Sequence, residues 1–332
     1  MALSNIKKEQ IAHSVIKVLH SRFNLFPSEE GENRNAPFHI AFLQAFQHQL
    51  EGRVRDIPDF ISLSSWMHGL NTSLGQSFFE SVAHILCDGE KREFKSKRVF
   101  ANQINAIAGI MTDLKNGNKI PSLMEENDII TQNANGEEKD APNFIADCFY
   151  ETDDEVVAIE LKSVRPNSGE MRGEKQKILI GRAVLQKLFP NKKVKYLFGF
   201  PFDPTAGESV TYDKARFLSY LVEADKFVAY EDFLIADELW SFLASEEGGV
   251  MQEILDIINR IATPAFMDKF EKLQDKNTTI EDKTAILDEW FLCSEVMILE
   301  TVEKTKQNCR LYNQSIFKTD GSYNDRRLEL LH

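Results

Sequence analysis

The stretch from Phe144 to Lys162, FIADCFYETDDEVVAIELK, constrains the fold of this chain more than any other. Two apolar segments, FIADCFY and VVAIELK, flank the turn-like ETDDE, which is the pattern of a β-hairpin with buried strands. A turn centred on Asp153 and Asp154 sets Asp147 directly opposite Glu160, and directly opposed residues share a face. Residues i and i+2 of a strand also share a face, so Lys162 joins them while Ile159 and Leu161 point the other way. Two carboxylates and one ammonium group thus converge on an otherwise apolar pair of strands. Taking such charges out of water costs free energy, so the cluster calls for either a function or a strong pairing. An ion pair at a strand end, with Asp147 as its solvated neighbour, explains neither the convergence nor the basic segment that follows.

Helical spacing dominates the sequence before the hairpin. Ile11, Val15 and Leu19 form one apolar stripe, and Phe38, Phe42, Phe46 and Leu50 form a second. A third helix is expected to start at the cap-like Asn71-Thr72 and run through LGQSFFESVAHIL, burying Leu74, Phe78, Val82 and Ile85 with Glu80 off the stripe. KREFKSKR (91–98) reads as a mixed basic segment, and residues 131–143 read as a polar, turn-rich loop. After the hairpin, Pro166-Asn167-Ser168 ends the strand and caps the helix GEMRGEKQKILIGRAVLQKLF, which Pro190-Asn191 closes before the strand VKYLFGF (194–200). Strand, helix and strand make a crossover unit. Beyond about residue 211 the pattern returns to helix. A long helical stretch from Ile280 to Leu311 carries Ile286, Trp290, Phe291, Met297 and Val302, too much apolar surface for a lone exposed helix. It packs either on the chain's own N-terminal helices or in a dimer interface. The expected fold is therefore mixed α/β and helix-rich: an N-terminal helical region (1–59), a core (60–240) and a C-terminal helical region (241–332).

No apolar run approaches the roughly 18 residues of a membrane span, and MALSNIKKEQ lacks the apolar core of a signal peptide, so a cytoplasmic protein with no membrane partner is expected. Cys87, Cys148, Cys293 and Cys309 are far apart in sequence, which points to reduced thiols and away from zinc or iron–sulfur sites. The seven histidines show no metal-ligand spacing, and no phosphate-binding GxxxxGK[ST] loop is present. A net charge of -13 opposes nucleic-acid binding by the chain as a whole. Locally the sign reverses. From Lys162 to Lys195 there are ten basic residues against two acidic ones, Glu170 and Glu174, whereas from residue 201 onward fourteen basic residues face twenty-six acidic ones. The basic helix reads either as a solvated face or as a phosphate-binding surface carrying Lys175, Lys177 and Arg182, with Glu170 or Glu174 shaping a metal site from its rim.

Two facing carboxylates beside a lysine form an oxygen-ligand site suited to Mg²⁺, which takes one or two carboxylates together with waters and substrate phosphate oxygens. Lys162 is then placed to orient or deprotonate a water and to stabilise charge on a phosphate, the chemistry of phosphodiester hydrolysis. Asp147 followed by Glu160-Leu161-Lys162 resembles the D…(D/E)xK signature of the PD-(D/E)XK nuclease superfamily. Pro142-Asn143 stands where a literal Pro-Asp would be sought, so the aspartate is assigned by register to Asp147, with Asp140 as the weaker candidate. LNTSLGQSFFESVAHIL (70–86) and ELKSVRPNSGEMRGEKQKIL (160–179) further resemble type II restriction endonucleases of the TdeIII/MjaII-like group, a likeness over residues 60 to 200. The resemblance implies a restriction-endonuclease-like core with helical additions at both ends. It implies Asp147, Glu160 and the Leu161 carbonyl as metal ligands, Glu80 as an outer carboxylate and Lys162 as the catalytic lysine. DNA contacts are expected from Arg165, Arg172, Lys175, Lys177 and Arg182. The implied activity is Mg²⁺-dependent cleavage of double-stranded DNA at a short palindrome, by a homodimer working alongside a cognate DNA methyltransferase. The rival readings are a structure-specific repair or recombination nuclease and a catalytically silent DNA-binding protein of the same fold.

Overall fold

The computed structural model describes residues 3–27, 36–162, 168–305 and 310–326. In chain order it begins with helices α1 (Asn5–Asn24), α2 (Pro37–Leu43), α3 (Gln47–Leu50) and α4 (Ile57–Ser73). The α5 helix (Phe79–Cys87) leads into strands β1 (Glu90–Phe94) and β2 (Arg98–Phe100), followed by α6 (Ala101–Asn116) and α7 (Leu123–Gln132). Next come β3 (Glu138–Asp140), the hairpin β4 (Phe144–Glu151) and β5 (Glu155–Leu161), α8 (Ser168–Leu188) and β6 (Lys193–Phe200). The chain ends with α9 (Lys214–Tyr220), β7 (Phe233–Ile235), α10 (Asp237–Ala244), α11 (Val250–Ile261), α12 (Phe266–Gln274), α13 (Ile280–Glu289), α14 (Cys293–Thr305) and α15 (Arg310–Asn313). Mixed α/β architecture follows directly. The residues group into two compact units, Met1–Leu3 with Phe79–Ile254, and Ser4–Phe78 with Leu255–His332. The N- and C-terminal helical regions read from the sequence thus fall largely into one unit.

The first unit is built on a five-stranded sheet in the order β1-β4-β5-β6-β7, with β2 and β3 forming a separate antiparallel pair. β4 and β5 are antiparallel with Cys148 opposite Ile159 and Glu151 opposite Val156, the register expected from a turn at Asp153-Asp154. β5 and β6 are parallel. β5 is therefore central, which is why its sequence is a continuous apolar run: Val156 to Glu160 are all buried. α8 packs on β6 and α5 on β4. Gly181 permits the first contact, because a Cβ there would lie 2.4 Å from Cε1 of the buried Tyr196.

Several local expectations are corrected. Asn71-Thr72 does not start a helix, because α4 has already begun at Ile57. Asp56 caps that helix through the Asp59 N–H at 2.7 Å, and the Thr72 hydroxyl donates back to the His68 carbonyl instead of capping. KREFKSKR supplies all of β1 but Glu90, and the first residue of β2; its dense charge hid a strand that pairs with β4 at the sheet edge. Phe46 is exposed. The stretch from Ile280 breaks into α13 and α14 at Phe291, whose φ is +61°, and Trp290 is fully buried, stacked on Phe266 of the same unit at 5.3 Å. Trp290 is thus an intrachain core residue and not a dimer contact, while Met297 faces solvent.

The largest correction concerns the basic helix. Lys175 and Arg182 are 0% and 1% exposed, so neither faces DNA. Lys175 Nζ lies 2.6 Å from both Glu126 and Asp232, and Arg182 donates to Asp232 at 2.8 Å and to the Tyr196 carbonyl at 3.0 Å. Seven residues, two helical turns, separate the two cations, so both point from the same face of α8 into the core. They hold α7, α8 and the residue before β7 together as one four-charge network. Removing one member leaves a buried charge uncompensated, so Asp232→Ala is expected to lose about 3–5 kcal/mol of stability in urea unfolding. Arg172→Ala, at an exposed position of the same helix, is expected to change it by less than about 0.5 kcal/mol.

Candidate active site

The β4–β5 register carries Asp147 and Glu160 to the same end of the hairpin. Asp147 is held in place by two bonds: its Oδ2 accepts from the Leu161 N–H at 3.0 Å, and its backbone carbonyl accepts from His84 Nε2 at 2.7 Å. The second bond ties α5 to β4 and fixes the proton of His84 on Nε2. Glu160 is 3% exposed, the most enclosed carboxylate of the group. Lys162 Nζ lies 3.2 Å from Glu160 and 2.8 Å from Glu174 of α8. Lys177, one helical turn after Glu174, donates to Glu160 Oε2 at 2.5 Å. On the other side, Lys91 of β1 contacts Glu80 of α5 at 2.9 Å and Asp147 at 3.5 Å.

Sequence reading and structure therefore meet on Asp147, Glu160, Leu161 and Lys162, which lie together, with Glu80 joined to Asp147 through Lys91. Lys177 also reaches the cluster, although it was read from the sequence as a phosphate contact and here rests on Glu160. Arg172 is exposed on α8, and Arg165 lies outside the described residues. Asp140, the weaker aspartate candidate, belongs to β3 in the other sheet and pairs with Arg98. The sequence offered no signal for Lys91, because KREFKSKR reads as a mixed basic segment and not as a strand. Of the two acids in the basic helix that the sequence offers for the rim of the site, Glu174 stands in it, against Lys162 and Lys177.

Burial, reinforced by the neighbouring Asp147 carboxylate, pushes the Glu160 carboxyl up to about 7, and the Lys177 and Lys162 ammonium groups only partly oppose this. Burial disfavours charge on Lys162 as well, but Glu160 and Glu174 outweigh it and hold the ammonium above its usual range. Glu160 is thus partly protonated near neutrality while Lys162 keeps its charge.

The donor set fits a hard divalent cation: two carboxylates and a backbone carbonyl, all oxygen, in a pocket that already draws in three ammonium groups. Among the described residues no three acidic, histidine or cysteine side chains form a ready-made cage. Such a site leaves coordination positions for water and substrate. Cation binding must displace the Glu160 proton, so affinity is expected to rise as pH passes through about 7. Stability of the cation-free protein runs the other way. The folded carboxyl keeps its proton above the 4.5 of an unperturbed glutamate, so the unfolded chain loses its proton first and stability falls as pH rises from there through 7. Glu160→Gln is expected to remove that fall and to exceed wild-type stability at pH 8 by on the order of 3 kcal/mol, read from urea unfolding at pH 5 and pH 8.

The model of the family described as "Type II restriction endonuclease, HinfI" matches residues 3–262. The type II restriction enzyme MjaII of Methanocaldococcus jannaschii is 42% identical over an alignment of 359 residues, covering 98% of this chain and 96% of that protein. Type II restriction endonucleases generally need a divalent metal, in keeping with the donor set above. No helix among the described residues is long and apolar enough to cross a membrane. With the family model spanning most of its length and a near full-length relative beside it, the chain belongs to the HinfI-type family of type II restriction endonucleases.

Proposed function

We propose that this chain hydrolyses phosphodiesters of double-stranded DNA at a short palindromic sequence, with Mg²⁺ held by Asp147, Glu160 and the Leu161 carbonyl. The observation that carries this reading is the hairpin register, which gathers two carboxylates and Lys162 at one end of β4 and β5 in a chain of this family. When bound, the cation polarises the phosphate and lowers the pKa of a bound water. The protein's own groups do the rest. Lys162 is held as a cation by Glu160 and Glu174, so it donates hydrogen bonds instead of taking a proton: it orients the attacking water and stabilises charge growing on the phosphate. Glu174 aims Lys162 from α8 and keeps it from collapsing wholly onto Glu160. Lys177 and Lys91 neutralise the carboxylates before substrate arrives and can turn to DNA phosphates afterwards.

DNA contacts on α8 are assigned to Arg172 and Lys177, with Lys175 and Arg182 withdrawn because they are buried. Cleavage of both strands of a two-fold symmetric target is most simply achieved by a two-fold symmetric homodimer. A DNA methyltransferase acting on the same sequence is the functional partner such an activity requires to spare the cell's own DNA.

Asp147→Asn, Glu160→Gln and Lys162→Met are expected to lower plasmid cleavage at least about 10²-fold while binding of target DNA in Ca²⁺ stays within a few fold. Wild-type cleavage by Glu160→Gln would refute the site. Discrete plasmid fragments are expected of the wild type; preference for branched DNA would favour a repair nuclease, and no cleavage a silent binding protein. Arg172→Ala and Lys177→Met are each expected to flatten the dependence of log affinity on log salt by about one unit.

A further inference from the structure

Two of the four cysteines, scattered in sequence, meet beside the catalytic cluster. Cys87 is the last residue of α5 and Cys148 follows Asp147 in β4, and their sulfurs are 3.4 Å apart. Cys148 is fully buried, whereas Cys87 is partly open to solvent. Gly89 makes room for the pair: a Cβ there would lie 2.8 Å from Cys87 Sγ and 3.4 Å from Cys148 Sγ. The hydrogen bond from Cys148 lowers the Cys87 thiol from its ordinary range, although burial opposes this. Such an arrangement, a half-buried thiol on the Ala83 carbonyl at 3.1 Å with a second thiol directly behind it, suits reversible oxidation to a disulfide. Cys293 has a different environment and donates to Glu9.

We propose that Cys87 and Cys148 form an oxidant-sensitive dithiol, closed to a disulfide by hydroperoxides, that switches off the adjacent DNA-cleaving site. In the first step the Cys87 thiolate attacks the hydroperoxide; the O–O bond breaks, sulfur is oxidised by two electrons to the sulfenic acid, and the alkoxide or hydroxide leaves and takes a proton from solvent. In the second step the Cys148 thiol attacks the sulfenic sulfur; the S–S bond forms, the S–O bond breaks, and water leaves with the Cys148 proton. Two thiols and one hydroperoxide thereby give one disulfide, one alcohol (or water) and one water.

The link to activity is geometric. A disulfide requires a sulfur separation near 2.05 Å, so the two sulfurs must draw about 1.4 Å closer. Cys148 lies in a strand paired on both sides, so the end of α5 gives way. That helix also carries His84, which holds the Asp147 carbonyl, and Glu80, which reaches Asp147 through Lys91. A displacement on the order of 1 Å at a reacting group costs roughly 10²-fold in rate. The loss of activity rests on the site proposed above; formation of the disulfide does not.

The full chain is treated with hydrogen peroxide, and intact mass, non-reducing peptide maps and plasmid cleavage are read in parallel. The expected result is a loss of 2 Da, one linkage joining the Cys87 and Cys148 peptides, cleavage lowered about 10²-fold, and recovery of both with dithiothreitol. Cys87→Ser should cleave like wild type and resist peroxide; Cys148→Ala should stop at the sulfenic acid, trapped by dimedone. No linkage between these peptides in the wild type, or a pairing with another cysteine, would overturn the dithiol. Linkage with unchanged cleavage would overturn the switch, and if the Asp147 and Glu160 variants still cut, the fault lies in the site assignment instead.

Discussion

The pairing of β4 with β5 is the constraint from which the rest of the site follows. In an antiparallel pair one register determines every shared face, and a slip of one residue would send Asp147 and Glu160 to opposite sides of the sheet. The two-residue turn at Asp153-Asp154 sets that register, and β6 locks it from the other side, pairing alongside β5 from Glu155 to Leu161. The Leu161 N–H then bonds the Asp147 carboxylate where the ladder ends, so a side chain replaces a backbone partner at the position where chemistry is proposed. Catalytic groups placed on a central hairpin inherit its rigidity.

Electrostatics divides α8 between two tasks. Glu174 and Lys177, one turn apart, face the β4–β5 cluster, while Lys175 and Arg182, two turns apart, face Glu126 and Asp232 in the core. In the core network Lys175 and Arg182 hold Asp232 as a carboxylate even though burial alone would favour its neutral form, whereas burial raises Glu126, whose Oε1 has no hydrogen-bond partner among the described residues. Glu160 is raised toward neutrality, the condition of a group kept for a cation that comes and goes. The same distinction explains why a helix rich in lysine and arginine need not be a DNA-binding face along its whole length.

The hairpin, its register, the crossover to β6 and the convergence of Asp147, Glu160 and Lys162 were legible in the sequence because strand periodicity and a two-residue turn leave few alternatives. What escaped notice depended on partners far along the chain. β1, EKREF, carries four charges in five residues and reads as part of a mixed basic segment until β4 is laid beside it, and Lys91 escaped with it. Lys175 and Arg182 look like surface cations until Asp232, 57 and 50 residues away, arrives to pair with them. Trp290 was rightly read as needing cover, but Phe266 of its own unit supplies it. The two thiols, 61 residues apart, likewise became neighbours only through the packing of α5 on β4.

The central claim is that Asp147 and Glu160, brought together by this register, hold the divalent cation. Crystals of the protein with target DNA and Mn²⁺, measured at the manganese absorption edge, test it most directly. The account predicts an anomalous peak about 2.0–2.3 Å from an oxygen of each carboxylate, with Lys177 released from Glu160. A manganese ion bound elsewhere, with Lys177 still seated on Glu160, would contradict it.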